Sequence, residues 1–174
     1  TGHGTVEHFG STCKPDILMG TLSKALGSEG GYACASKVII DYLKNKARSF
    51  IFATSQAPAA LAAALRAIEV LEEEPQRAQS LQHNVKFFLN ALHAEGVEAY
   101  SPTAIIPIII GDEKSALQVA DELLASGVLA PAIRYPTVAK GTARLRVALM
   151  ATHTEAELSQ TAKLIGAAIR KHKK

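Results

Sequence analysis

Thr21, Ser23 and Lys24 put two hydroxyls and a primary amine side by side in a chain of 174 residues. A deprotonated amine attacks carbonyl carbon, and neighbouring hydroxyls can donate to an anionic group on the same ligand. The run Ile17-Leu18-Met19, closed by Gly20, predicts a short buried strand leading to them. Burial at its end would favour the uncharged amine. Gly27, Gly30 and Gly31 allow a tight turn or a close approach to a ligand. The same residue types also suit a solvated loop. A P-loop is excluded, because Lys24 lies between Ser23 and Ala25 with no glycine before it. No G-x-G-x-x-G fingerprint occurs in this stretch.

Arg144 and Arg146 alternate with Leu145 and Val147, so on a strand both guanidiniums share one face. Like charges on one face repel unless they meet anions, and a guanidinium fork suits a carboxylate. Pairing with surface glutamates would serve equally well. Arg134 lies on the preceding segment, Ala132 to Val138. Thr54 follows the apolar run Phe50-Ile51-Phe52-Ala53; by residue type alone it is a helix cap. His3, His8 and Cys13 lack a second pair at ligand spacing, so no metal site is expected. His153 reads as structural beside Thr154, whereas His83, His93 and His172 read as solvated.

The elements that must position these groups can be read in order. Residues 1–11 are expected as loop, and Gly31 to Ala35 as a second strand. A helix from Lys37 to about Ala47 is capped by Ser36, with Val38, Ile39, Tyr42 and Leu43 on one face. Ser49 to Ala53 has the β-branched and aromatic content of a strand. Pro58 opens an alanine-rich helix to Glu74, in which Ala60, Ala63, Ala64 and Ala67 are expected in the core. Pro75 ends it. A helix from Arg77 to about Glu95 carries Leu81, Val85, Phe88, Leu89 and Leu92 as its stripe and stops at Gly96.

Strands are expected over Val97–Tyr100, Ile105–Ile110, Val128–Tyr135 and Ala143–Leu149, with a helix from Ser115 to Ser126. A capping box from Thr154 to Glu157 starts the last helix. The expected division is 1–75 and 76–174.

With 48% hydrophobic residues the chain can bury a substantial core. The net charge of +3 comes largely from the tail Arg170-Lys171-His172-Lys173-Lys174, where a helix dipole favours cations. Aromatics make up only 5% of the chain, too few for a nucleic-acid stacking platform. Two cysteines make no disulfide framework and fit a cytoplasmic home. No apolar run reaches the ~18 residues of a membrane span.

Asp16 to Tyr32 resembles the cofactor-lysine segment of the α-oxoamine synthases, a family of fold-type I pyridoxal-phosphate (PLP) enzymes. Phe50 to Ser55, Ala132 to Val138, Gly141 to Val147 and Ala151 to Thr154 resemble further segments of that family. The implied fold class is α/β: the C-terminal part of the fold-type I PLP-dependent transferase large domain (1–75), plus an α+β C-terminal small domain (76–174). The resemblance implies pyridoxal 5'-phosphate held by Lys24, its phosphate bound by Thr21 and by Thr54 across a homodimer interface with shared active sites. It assigns an amino-acid carboxylate to Arg146 and, more loosely, the acyl side to Arg134. Tyr135 departs from the family's usual Ile-Arg-Pro-Pro-Thr.

The implied activity is decarboxylative condensation of an amino acid with an acyl-CoA or acyl-carrier-protein thioester. The wording around the arginines favours L-alanine and a pimeloyl thioester over glycine and acetyl-CoA. A non-catalytic dimerisation fragment is the alternative from another class. The family's Asp-x-x-His motif and ring-stacking histidine are expected ahead of Thr1, so the chain alone is expected to be inactive. No nucleic acid, membrane or metal partner is implied.

Overall fold

The computed structural model describes residues 2–10, 12 and 14–172. The chain divides into two compact units, 1–75 and 76–174. Cys13 lies outside the described residues.

In the first unit, Thr5–His8 forms a short helix (α1) within the segment expected to be loop. Strands Ile17–Thr21 (β1) and Gly31–Ala35 (β2) pair antiparallel, from Ile17 opposite Ala35 to Thr21 opposite Gly31. The strands are where the sequence places them, but they are not buried: Ile17, Leu18 and Met19 are all exposed. Hydrophobicity is a cue for burial only when another layer covers the strand. In the described residues β1 packs on β2, with no helix layer across it.

Helix Lys37–Lys46 (α2) begins at Ser36, whose hydroxyl accepts from the Ile39 N–H at 3.5 Å. Its apolar residues Val38 and Tyr42 stay exposed. The strand expected over Ser49–Ala53 is instead a single helical turn, Arg48–Ile51 (α3). Among the described residues no neighbouring strand takes up its backbone bonds, so i→i−4 bonds such as Phe52 N–H to Arg48 O satisfy them locally. Pro58 occupies the first turn of Pro58–Glu73 (α4). Of the four alanines expected in its core, only Ala64 is buried.

The second unit builds its core between one sheet and three helices. Gln76–Ala94 (α5) buries Val85, Phe88 and Leu92 as its stripe predicts. The strands are Ile105–Gly111 (β3), Ala132–Ile133 (β4) and Ala143–Ala148 (β5), in the order β3-β5-β4, all antiparallel. Val97–Tyr100 forms no strand, and only two residues of Val128–Tyr135 do.

Helix Glu113–Ala125 (α6), expected from Ser115, starts two residues earlier and is capped by Asp112, whose carboxylate accepts the Ser115 N–H at 2.8 Å. That bond holds the Asp112 carboxyl below its ordinary range. Helix Glu155–His172 (α7) starts with the expected capping box, in which the Glu157 carboxylate accepts both the N–H and the hydroxyl of Thr154 at 2.8 Å.

Ile106, Ile108, Leu145 and Val147 point from the sheet into this core, against Phe88, Leu92, Val119, Leu123 and Ile165. Phe88 is fully buried. Truncating it to alanine is expected to destabilise this unit by about 3–5 kcal/mol, from lost transfer energy and the cavity left behind. Urea unfolding of Phe88→Ala against the unaltered protein measures this; a loss below about 1 kcal/mol would mean the core is packed otherwise.

Of the histidines expected to be solvated, His83 and His93 are exposed and His172 is half-buried, and each also has a partner. His83 Nε2 meets Glu155 Oε1 at 2.8 Å, His172 Nε2 meets Glu122 Oε2 at 2.7 Å, and His93 Nε2 lies 3.1 Å from the Ala99 carbonyl. Their partners lie far along the sequence or beyond a helix end, so helical periodicity does not reveal them. No helix among the described residues is long and apolar enough to cross a membrane.

Candidate active site

Lys24 sits in the loop that joins β1 to β2. The Leu22 N–H donates to the Gly30 carbonyl at 2.9 Å, and the Ser28 N–H donates back to the Leu22 carbonyl at 2.9 Å. Between them the Gly27 N–H closes a turn on the Lys24 carbonyl at 3.0 Å. Leu22 is the loop's buried anchor. With the backbone tied this way, the Lys24 side chain projects from the turn and is exposed. The desolvation expected from a buried strand is therefore not supplied by the described residues.

Thr21 and Ser23 stand together ahead of the lysine. Their hydroxyl oxygens are 2.8 Å apart, the Thr21 hydroxyl reaches the Gly30 carbonyl at 3.2 Å, and the Ser23 N–H donates to Thr21 Oγ1 at 3.2 Å. Both hydroxyls are exposed. A small exchange of partners would turn either toward a ligand oxygen.

A second segment is tied to this loop. Gln56 Nε2 donates to the Glu29 carbonyl at 2.8 Å, and the Ser28 hydroxyl donates to the Ala60 carbonyl at 2.6 Å. Gly30 has φ +95°, and a Cβ there would lie 1.5 Å from Gln56 Nε2. Only glycine fits both the backbone and the contact. These bonds hold the start of α4, and the Thr54–Ala57 segment before it, against the lysine loop. Sequence reasoning missed Gln56 and Ser28 because their contacts span 27 and 32 residues with no local periodicity. Thr54 is exposed and bonds to none of the described residues.

The donor set of this loop fits an aldehyde-bearing phosphate ester: one amine for the aldehyde, and uncharged hydroxyls for the phosphate.

In the second unit, β5 carries Arg144 and Arg146 on the sheet face opposite the core. Pro107 pairs with Arg146 and Ile109 with Arg144. The two arginines differ. Arg144 is half-buried and its Nε donates to the Thr142 carbonyl at 3.0 Å. Arg146 is exposed and its guanidinium meets no carboxylate among the described residues. Its backbone N–H is held by the Pro131 carbonyl at 2.9 Å.

Arg134 is exposed just after β4. His153 Nδ1 accepts the Met150 N–H at 3.2 Å, in keeping with a structural role. Asn84, which sequence reasoning missed, is buried and donates to the Met150 and His153 carbonyls at 3.0 and 2.9 Å, pinning the turn after β5. Thus Thr21, Ser23, Lys24 and the Thr54 segment belong to one unit, and Arg134 and Arg146 to the other. Among the described residues no group of His, Cys, Asp or Glu could hold a metal ion.

The chain is similar in sequence and fold to known proteins. 8-Amino-7-oxononanoate synthase 1 of Bacillus subtilis (strain 168) is 50% identical over 165 residues, covering 94% of this chain and 42% of that protein. 8-Amino-7-oxononanoate synthase 1 of Bacillus velezensis is 47% identical over 168 residues, covering 96% and 43%. Among solved structures, 8-amino-7-oxononanoate synthase from Francisella tularensis matches with a TM-score of 0.78 at 29% identity, covering 89% of this chain and 46% of that one. Serine palmitoyltransferase from S. paucimobilis, with a bound PLP–myriocin aldimine, matches with a TM-score of 0.82 at 26% identity, covering 90% and 40%.

The chain spans less than half the length of these relatives, and its fold is the C-terminal part of the fold-type I PLP-dependent transferase fold. The profile of the family "Aminotransferase class I and II" matches residues 3–165, and the chain belongs to that family of PLP-dependent enzymes.

Proposed function

We propose that this chain supplies the cofactor lysine and the amino-acid carboxylate site of an 8-amino-7-oxononanoate synthase. The reaction would be the decarboxylative condensation of L-alanine with a pimeloyl thioester. The observation that carries this reading is the β1–β2 loop, which presents Thr21, Ser23 and Lys24 on a backbone fixed by five hydrogen bonds, three within the loop and two to the neighbouring segment. Half of the aligned residues match the B. subtilis synthase.

Bound pyridoxal 5'-phosphate would supply an aldehyde and a pyridine ring that draws off the electron pair released at the substrate's α-carbon. Lys24 Nζ would hold the cofactor, then take a proton from that carbon once the amino acid has displaced it. The hydroxyl of Thr21 would donate to the phosphate, and Thr54 would donate to the phosphate of a second copy's site. Arg146 would grip the amino acid's carboxylate in a two-pronged pair, and Arg134 would face the acyl donor.

Assaying the protein with the sequence that adjoins this chain in its gene tests the substrate pair. Alanine plus pimeloyl-CoA should turn over well above glycine plus acetyl-CoA; the reverse preference would make it a glycine acyltransferase.

Sharing of sites between copies has its own test. Mixed assemblies of Lys24→Ala and Thr54→Ala proteins should recover cofactor affinity above either variant alone, because some sites then hold both groups. Mixed assemblies that form and recover nothing would remove Thr54 from the neighbouring site.

A further inference from the structure

Residues 123–154 contain no Asp or Glu, yet they carry four cations, Arg134, Lys140, Arg144 and Arg146. All 16 acidic residues of the chain lie outside this stretch, against 19 basic residues in the whole chain. The fold gathers these four cations on one hairpin. Ile133 pairs with Arg144, so Arg134 opens the connection between β4 and β5, Lys140 lies within it, and Arg144 and Arg146 follow on the returning strand.

The connection is ordered by its own bonds. The Thr137 N–H donates to the Arg134 carbonyl at 3.0 Å, the Thr142 hydroxyl donates to the Ala139 carbonyl at 2.7 Å, and Arg144 Nε donates to the Thr142 carbonyl at 3.0 Å. Lys140 Nζ lies over the exposed Tyr135 ring, 5.1 Å from its centroid. The ring therefore holds the ammonium at a fixed place on the hairpin instead of leaving it to sweep through solvent. None of the four cations meets a carboxylate among the described residues, whereas Lys37, Arg66, Arg170 and Lys171 all do.

A cluster of cations without counter-charges on an ordered hairpin lowers its own repulsion by binding an anion with several charges. Arg146 is already assigned to a carboxylate and the Arg144 Nε is committed to the Thr142 carbonyl, so Arg134 and Lys140 are left for a second anion. We infer that Tyr135, Lys140 and Arg134 form a subsite for the phosphates of the acyl donor's carrier. It would hold a phosphate-bearing thiol such as coenzyme A outside the reaction centre. This rests on the acyl-transfer reading above and adds to it the group by which the thioester is held. Tyr135 then has a role that a proline at its position could not fill, that of a platform for the ammonium.

The probes are coenzyme A and pantetheine, which share the thiol arm but differ in the phosphates and nucleotide. Affinities are measured calorimetrically on the complete cofactor-loaded protein. Lys140→Glu is expected to weaken coenzyme A binding by about tenfold, through loss of one attraction and gain of one repulsion, and to leave pantetheine unchanged. Tyr135→Pro should weaken it by about threefold. Raising the salt concentration should weaken coenzyme A binding alone. Lys163→Glu, an equal charge change at an exposed site on α7, is the control and should have little effect.

Equal losses for both probes, equal effects of the two lysine variants, or no coenzyme A binding by the unaltered protein would each overturn the inference. A loss confined to an acidic carrier protein, with coenzyme A unaffected, would also overturn it in favour of a protein-docking surface. None of these outcomes touches cofactor attachment at Lys24, so the subsite can fail while the enzyme reading stands.

Discussion

Lys24→Ala is expected to abolish covalent retention of the cofactor and to lower turnover by at least about 10²–10⁴-fold, the usual worth of a positioned base. Lys24→Arg should be no better. A guanidinium keeps the positive charge but does not deprotonate in proteins, so it offers neither a nucleophile nor a base. Fold stability should barely move in either variant, because the Lys24 side chain is exposed and bonds to none of the described residues. The combination of unchanged urea midpoint and lost turnover separates a chemical role from a structural one. A variant that keeps turnover within tenfold would exclude Lys24 as the reacting amine.

Arg146→Ala carries the next largest effect. Losing a two-pronged charge-assisted pair should cost on the order of 2–4 kcal/mol. At ~1.4 kcal/mol per tenfold, amino-acid affinity falls by roughly 30- to 1,000-fold. Arg146→Lys should recover part of this, since a point charge replaces only one prong. Cofactor absorbance should survive both changes.

Arg144 provides the contrast, because its Nε is already committed to the Thr142 carbonyl and its side chain is half-buried. Arg144→Ala should therefore affect stability more than alanine binding. Should Arg144→Ala raise the alanine KM far more than Arg146→Ala does, the two roles are exchanged.

Much of this arrangement can be read from the sequence where one segment's own chemistry decides its shape. Ser36 and the Thr154–Glu157 pair cap their helices, Pro58 opens its helix at the first turn, and α5 buries Val85, Phe88 and Leu92 of the stripe its spacing dictates. Alternation along β5 puts Arg144 and Arg146 opposite Leu145 and Val147, as observed.

Expectations failed where a distant partner decides. Ser49–Ala53 has strand-forming residues but no strand to pair with among the described residues, and it forms a helical turn. Ile17–Met19 is apolar yet uncovered. Ala63 and Ala67 recur at helical spacing without being buried. At the candidate site, the reactive types Thr21, Ser23 and Lys24 are visible in sequence, but their bracing is not. The Gln56–Glu29 and Ser28–Ala60 bonds join segments that no local pattern links.

The central claim is that Lys24 is the amine that holds the cofactor. It is tested most directly by borohydride reduction of the cofactor-loaded protein, followed by peptide mapping. The account predicts that the cofactor's mass is fixed on the peptide containing Lys24, with loss of the visible absorbance. Recovery of that mass on any other lysine, or reduction without attachment, would contradict it.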